Sequence, residues 1–286
     1  PIVSYLVCLA VTNYSVFSVN VQLGNKYLPI QTFAYPESLT AFQQGTQNTL
    51  FAMALFHQKF GDYPFINEKY GHTQFGWGGG MEHQTNSFMI NLSEGLVAHE
   101  LAHQWFGNLI TAQSSKHHWL QEGFATYYAL LAERHLFGDD YFYEALNDYA
   151  EQLQQAATTD SIPVLNEKAS SLTFYKKGAW ALHVLREDIG AKYFQKVVKK
   201  YLKSYQYKNV DTDDFLSIIH DVSGYDVAKY KKQWLETPGF DRKVAQRYLD
   251  KNQFIREFNQ LRKNKYSLAE LTKIMQSDAY YPIKQY

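Results

Sequence analysis

The 286-residue sequence predicts an α+β fold that is mostly helical and contains a small mixed sheet. Apolar and polar residues alternate at Val19, Val21 and Leu23, which is typical of a half-buried strand. Gly24-Asn25 is a turn signal, and residues 26–33 form the expected returning strand. Beyond residue 93, by contrast, helical segments separated by glycines account for most of the chain.

Two more strands are expected around a glycine-rich stretch in the first third of the chain. A helix from Pro36 to Phe60 precedes them and ends at the following glycine. The predicted strands are 69–75 and 85–92, and they flank residues 76–80, which contain four glycines in five positions. Such a run lets the backbone approach another group closely.

The rest of the chain is predicted to be helical. The expected helices are 93–107, one that carries Glu122 and ends at Gly138, 141–157, 173–189, 191–205, 212–223 and 227–236. Residues 237–239, Thr-Pro-Gly, mark a boundary. After it, Phe254, Phe258 and Leu261 recur at helical spacing, and Ser267 with Glu270 forms a capping box.

Composition excludes several classes of protein. Hydrophobic residues at 45% suffice for a core, while a net charge of zero argues against long disorder and against a nucleic-acid partner. Cys8 is the single cysteine, so no intrachain disulfide is expected, and the compartment stays open between cytoplasmic and periplasmic or secreted. The apolar stretch 2–11 is too short to span a bilayer, so we expect a soluble chain without a transmembrane segment. The chain begins with proline, which suggests a fragment or a processed product.

Two histidines four residues apart form the most informative motif. On a helix, His99 and His103 lie on one face and can bind a single Zn²⁺. Glu100 points about 100° away around the helix, where it can act on a metal-activated water without becoming a ligand. The flanking residues are apolar on nearly every side of this helix, which predicts that it is buried. Two histidines and a glutamate are unfavourable to bury in a core unless they have a function there, such as binding a metal.

A hydrolytic zinc site usually has three protein ligands and one open position. Glu122 is the expected third ligand, because a second apolar segment begins there and could pack against the first helix. The sequence therefore predicts one Zn²⁺ per chain, held by His99, His103 and Glu122.

These motifs resemble those of the gluzincin zinc aminopeptidases, a family that includes relatives of aminopeptidase N, puromycin-sensitive aminopeptidase and leukotriene hydrolase. The matching segments are His-Glu-Leu-Ala-His-Gln-Trp-Phe-Gly-Asn from His99 and Trp-Leu-Gln-Glu-Gly-Phe-Ala from Trp119, with the family's spacing of eighteen residues between His103 and Glu122. The resemblance covers roughly residues 35 to 240, and it implies a thermolysin-like zincin catalytic domain.

The resemblance also implies further site residues. Gly79, Gly80, Met81 and Glu82 look like the family's substrate motif, in which the glutamate pairs with the substrate's α-ammonium. From the residues alone, a solvated loop glutamate is the favoured interpretation of Glu82. His83 stands where the family has asparagine, and a fourth zinc ligand there is not expected, because it would close the catalytic position.

Tyr175 lies in a Tyr-x-Lys-Gly segment, completed by Lys177 and Gly178, and the resemblance makes it the donor to the oxyanion. Considered without the motif, it could be an ordinary half-buried tyrosine. His117 and His118 are expected at the surface or behind the metal ligands. Gln121 replaces an asparagine that is common in the family.

The resemblance further divides the chain into three parts. Residues 1–34 would be the remnant of an N-terminal β domain, 35–239 the zinc peptidase domain, and 240–286 the start of a helical C-terminal region. The strand at 85–92 would edge the substrate cleft, where a peptide could add as an extra strand. In the family, this glutamate and a second polar residue from the β domain together bind the substrate's amine. Because only a remnant of that domain is expected here, Glu82 is expected to hold the ammonium alone.

The function expected from all of this is a zinc-dependent metallo-aminopeptidase. It would remove N-terminal residues from peptides with a free N-terminus by attack of a zinc-activated water, with Glu100 and Tyr175 as catalytic residues. A zincin endopeptidase, an epoxide hydrolase of the same fold and a non-catalytic peptide-binding scaffold are the alternatives. An endopeptidase would lack a carboxylate for the amine, and a scaffold would have lost some of the catalytic residues.

Overall fold

A five-stranded mixed sheet forms one side of the molecule. The computed structural model describes residues 2–263. The strands are β1 (Ser15–Leu23), β2 (Lys26–Ala34), β3 (Tyr70–Gln74), β4 (Gly80–Met81) and β5 (Ser87–Met89), in the order β1-β2-β3-β5-β4. The pairs β1–β2 and β4–β5 are antiparallel, whereas β2–β3 and β3–β5 are parallel. The predicted small mixed sheet is confirmed.

The predicted hairpin is an integral part of this sheet. Strands β1 and β2 pair along their whole length, and Ile30 to Phe33 of β2 then pair with Tyr70 to Thr73 of β3. Residues on both sides of the expected boundary at residue 34 therefore lie in a single sheet. The division of the chain into three domains stays a prediction.

Helices make up most of the remainder. They are α1 (Leu39–Phe60), α2 (Glu94–Ala102), α3 (Trp119–Phe137), α4 (Asp139–Gln155), α5 (Gly178–Ile189), α6 (Ala191–Tyr205), α7 (Thr212–Ser223), α8 (Val227–Tyr230), α9 (Arg242–Leu249) and α10 (Gln253–Lys263). Two three-residue strands that the sequence did not predict, β6 (Ile110–Ala112) and β7 (Lys208–Val210), pair in parallel. The expected capping box at Ser267 and Glu270 lies outside the described residues.

Two predictions about the segment around the histidine motif were wrong. The expected strand 85–92 is only Ser87–Met89, and it lies inside the sheet, since β4 occupies the edge. A peptide that extends the sheet on the side of β5 would pair with β4. Helix α2 ends at Ala102, well before Gly107, because the backbone tightens into turns from His103 onward.

Aromatic rings pack α3 against α1 and against the segment that follows α2. Phe106 stacks on Phe124 with ring centroids 4.3 Å apart, and Phe60 meets Tyr128 edge to face at 4.5 Å. All four side chains are largely buried. Such pairs stabilise by about 0.5–1.5 kcal/mol beyond the area they bury, so they fix α3 relative to α1 and to the segment after α2. No helix between residues 2 and 263 is both long and apolar enough to cross a bilayer.

Candidate active site

Helix α2 and the residue that caps its C-terminal end, His103, bring both histidines of the motif to the same point. Their rings meet edge to face with centroids 4.7 Å apart, and the two Nε2 atoms are 3.1 Å apart. His103 is fully buried and His99 nearly so, with side-chain exposures of 1% and 15%. The i, i+4 spacing of a helix accounts for this convergence.

Glu122 reaches the same point from the first turn of α3. Its Oε2 atom lies 3.4 Å from Nε2 of His99 and 3.3 Å from Nε2 of His103. One potential ligand atom from each of the three residues lies within 4.8 Å of the others. The structure thus brings together the three residues that the spacing predicted as metal ligands.

Neighbouring groups fix the orientation of these side chains. Nδ1 of His103 lies 2.9 Å from the Phe106 carbonyl oxygen, to which it donates, so Nε2 is the ring nitrogen that faces Glu122. His118, one helical turn before Glu122, places its Nε2 3.3 Å from Oε1 of that carboxylate. His118 therefore lies behind a predicted ligand, which is one of the two positions expected for it.

The donor set and its electrostatics fit a Zn²⁺ ion. Oε2 of Glu122 is buried and has no hydrogen-bond partner, although two imidazole nitrogens face it. Burial opposes charge at both Glu122 and His103, yet the pKa of Glu122 is held well below its usual range, chiefly by His103. The carboxylates of Glu122 and Glu82 raise the pKa of His103 to about 10. The cluster thus stabilises positive charge between its members, and two imidazoles with one carboxylate are a typical donor set for hydrolytic zinc.

Glu100 lies beside this cluster, and it is not one of the three converging side chains. It is 4% exposed, and its Oε2 atom has no hydrogen-bond partner. Burial raises the pKa of its carboxyl to about 8, with Glu82 and Glu122 acting in the same direction and His103 opposing them. The backbone of Gly80 passes so close that a Cβ there would lie 2.6 Å from the Glu100 carboxylate. The glycine is therefore needed for this approach.

Tyr175 lies against His99, the first of the two histidines. It sits in a π-helical turn, Thr173–Lys177, immediately before α5. Its ring stacks on His99 with centroids 5.5 Å apart and planes 6° apart. Burial raises the pKa of its hydroxyl well above the usual range, and Glu122 adds to that effect. The phenol consequently stays protonated and can donate a hydrogen bond.

A pair of glycines allows this approach. A Cβ on Gly123, the residue after Glu122, would lie 3.0 to 3.1 Å from the backbone of Gly178. The helix-weakening glycine beside a predicted ligand thus has a packing role. It lets α3 and the segment that carries Tyr175 meet at backbone distance.

Glu82 lies next to Glu100 and His103. It is 5% exposed, and ligand atoms of Glu82, Glu100 and His103 lie within 4.8 Å of one another. The Asn108 side-chain amide donates to the Glu82 backbone carbonyl at 2.8 Å, and the Gln104 amide donates to the His83 carbonyl at 3.2 Å. The residues after the second histidine therefore hold the loop that carries Glu82, a role that the sequence motif did not reveal by itself.

The remaining predicted substrate residues lie along the edge of the same site. Gly79 has φ of +85°, and its carbonyl accepts from the Ile90 amide at 3.1 Å. Gly80 and Met81 form the edge strand β4. His83 packs edge to face on Phe88 with centroids 4.8 Å apart, away from the three converging ligand atoms.

The Glu82 carboxylate also has a partner from the first residues of the chain. The hydroxyl of Tyr5, from a 3-10 turn at Ser4–Leu6, donates to Oε1 of Glu82 at 3.5 Å. The same hydroxyl accepts from Nε2 of Gln121 at 3.0 Å. Tyr5, from a segment far away in sequence, thus contacts the predicted amine anchor, while the expectation that Glu82 alone holds the ammonium stays a prediction. A tyrosine in an apolar opening segment carries no local signal of such a role.

A family model described as the peptidase family M1 domain matches residues 81–234. Aminopeptidase M1-D of Oryza sativa subsp. japonica is 36% identical over 153 residues, which is 50% of this chain and 18% of that protein. Leucyl aminopeptidase of Saccharolobus solfataricus is 33% identical over 157 residues, which is 51% of this chain and 20% of that protein. The match thus spans about a fifth of the length of these curated relatives.

Solved structures give the same result for the fold. The M1 zinc metallopeptidase from Deinococcus radiodurans superposes with a TM-score of 0.66 at 25% identity, covering 78% of this chain and 51% of that one. A mutant of it bound to a Tyr-Ser-Ala substrate gives 0.65 at 24% identity, covering 78% and 52%. The predicted fold class, a mostly helical zincin-type catalytic domain with a small mixed sheet, is confirmed.

Proposed function

The chain belongs to the peptidase family M1, and from that premise we propose that it is a zinc-dependent aminopeptidase that removes single residues from the free N-terminus of peptides. The arrangement of three side chains carries this proposal. Glu82 lies at one end of a site that also holds Glu100 and His103. A buried carboxylate there suits the α-ammonium of a substrate, which an internal peptide segment does not have.

The proposed roles follow the geometry of the chain's own residues. A zinc ion held by His99, His103 and Glu122 would act as a Lewis acid and supply an activated water. Glu100 would take a proton from the attacking water and deliver it to the leaving amine. Its unpaired Oε2 atom supports that role.

Tyr175 would donate a hydrogen bond to the oxyanion that develops on the scissile carbonyl. Its stacking on His99 supports this role, since the hydroxyl is held next to the predicted ligands. Glu82 would fix the substrate's amine, so that cleavage falls after the first residue.

A panel of aminoacyl-arylamides, each with and without an N-terminal acetyl group, tests the activity. We expect turnover of the free-amine compounds and at least about tenfold lower kcat/KM for the acetylated ones, since a charge-assisted hydrogen bond contributes about 1.5–3 kcal/mol. Equal turnover of internal bonds in blocked peptides would instead identify an endopeptidase.

Metal analysis tests the ligand assignment separately from activity. We expect one zinc per chain in freshly purified protein and none in His103→Ala. Zinc retained by that variant with unchanged affinity would contradict the assignment.

A further inference from the structure

We propose that Tyr5 and Gln121 form a positioning relay that holds the Glu82 carboxylate for the substrate's ammonium group. The inference rests on the proposed function, because it concerns the amine-binding end of the same site. Tyr5 lies 77 positions before Glu82 in sequence, yet its hydroxyl contacts the predicted amine anchor directly.

The direction of every hydrogen bond in the relay follows from its first donor. The Ala112 backbone N–H, on β6, donates to Oε1 of Gln121 at 2.8 Å. The amide nitrogen of Gln121 must then face the other way, where it donates to the Tyr5 oxygen at 3.0 Å. The Tyr5 hydroxyl is left to donate its own proton, and Oε1 of Glu82 is the acceptor at 3.5 Å.

Buried residues flank Tyr5 in this relay, although Tyr5 itself is 40% exposed. Gln121 is 3% exposed and directly precedes the predicted ligand Glu122, so its position is set by the same helical turn. Leu6, next to Tyr5, is 1% exposed and anchors the 3-10 turn that presents the phenol.

The relay leaves Glu82 able to bind an amine. An ionised carboxylate can accept about four hydrogen bonds, and Tyr5 uses one of them. A carboxylate that is already held in place loses less conformational entropy when the ammonium binds. The smaller entropy loss raises the affinity for the ammonium. Tyr5 acts through Glu82 and is therefore a positioning residue.

The central experiment removes only the hydroxyl, with Tyr5→Phe in the full 286-residue chain. We expect KM for a leucyl-arylamide to rise about five- to tenfold, the size of one hydrogen bond of ordinary strength, because the charged bond between Glu82 and the amine itself remains. We expect kcat to change less than about twofold. Gln121→Asn is expected to shift KM in the same direction. Tyr14→Phe is the matched control. It also removes a tyrosine hydroxyl near the start of the described chain, but that hydroxyl donates to the Gln74 backbone carbonyl and not to Glu82.

A direct binding measurement separates this inference from the proposed function. Isothermal titration calorimetry with leucine amide and N-acetyl-leucine amide should show a free-amine preference that falls in Tyr5→Phe. In a Glu82→Ala background, Tyr5→Phe should have no further effect. If the preference and its dependence on Tyr5 are found in a chain without turnover, the relay stands and the aminopeptidase proposal fails.

Three results would overturn the relay. One is additive effects of Tyr5→Phe and Glu82→Ala. Another is an equal loss of affinity for the acetylated ligand together with a lower Tm, which would indicate a purely structural tyrosine. The third is a wild-type chain that binds both ligands equally well.

Discussion

At the residue scale, the position of Glu100 makes the sharpest prediction. Its carboxylate is buried beside the predicted ligands and has an unpaired oxygen, so Glu100→Gln keeps the shape and removes only the ability to move a proton. We expect kcat to fall by about 10²–10⁴-fold, with zinc content and Tm unchanged. Glu94→Gln is the control, because Glu94 lies exposed in the first turn of the same helix. A loss below about tenfold would mean that another group is the base.

The hydroxyl of Tyr175 can be tested without disturbing its ring. Tyr175→Phe preserves the stacking on His99 and removes only a donor. A single oxyanion donor is worth about 10²-fold in kcat or somewhat more, so we expect a loss of that order with little change in KM. Steady-state kinetics with one free-amine arylamide measures both constants. An effect confined to KM would make Tyr175 a substrate-binding residue.

Sequence spacing was informative where geometry is local. The positions of His99, Glu100 and His103 relative to one another follow from the helical period alone, and the structure places them accordingly. Tyr5 could not be predicted in this way, because the chain between it and Glu82 includes the hairpin, helix α1 and β3. His118 is an intermediate case, since its i, i+4 relation to Glu122 was visible but its orientation was not.

At the element scale, the junction between α3 and α5 sets the distance from Tyr175 to the predicted ligands. Gly123→Ala would press a methyl group against the backbone of Gly178 at 3.0 to 3.1 Å. Backbone cannot give way as a side chain can, so the two elements must separate by a few tenths of an ångström. We expect kcat to fall about three- to tenfold through the displacement of Tyr175.

Stability should change little in that variant, because alanine is favoured over glycine in a helix by about 1 kcal/mol, which offsets the crowding. Gly95→Ala is the matched control. Its added methyl group would meet the flexible end of Glu133. Unchanged kcat in Gly123→Ala, or an equal loss in Gly95→Ala, would contradict the packing argument.

Elements with a clear period were predictable, and short ones were not. Helices α1, α3, α6 and α7 begin and end near their expected positions, since glycines follow most of them and their apolar faces are regular. Strands β6 and β7 have three residues each, too few to show an alternation. The order of strands in the sheet depends on long-range pairing, which is why the predicted edge strand proved to be an inner one.

At the scale of the whole molecule, the sheet and α1 are joined by a buried histidine. His72 on β3 is fully buried, and its two ring nitrogens lie 2.9 Å from Thr32 Oγ1 on β2 and 3.0 Å from Thr49 Oγ1 on α1. Burial, assisted by the charge of Lys69, lowers the pKa of this ring to about 3. The folded protein therefore keeps His72 neutral over the range in which an unfolded histidine takes up a proton.

The sign of the pH dependence follows from that difference. Below the unfolded pKa of about 6.5, the unfolded chain binds a proton that the folded chain refuses, so the free energy of unfolding falls as the pH falls. Between pH 7 and pH 5 this single group should remove about 2 kcal/mol of stability. His183, whose pKa is also held well below its usual range by burial, adds to the same slope, so the test must compare variants.

We therefore expect His72→Gln to lose less stability than wild type between pH 7 and pH 5, by about 2 kcal/mol, whatever its stability at pH 7. Urea unfolding at both pH values provides the measurement, and His135→Gln is the control for replacing an exposed histidine that does not join the sheet to α1. The comparison remains valid if His72→Gln is less stable overall, since only the change with pH is compared. If His72→Gln and wild type lose the same free energy of unfolding between pH 7 and pH 5, the His72 ring takes up its proton in the folded protein within that range. The contacts of His72 with Thr32 and Thr49 must then open to water well above pH 3.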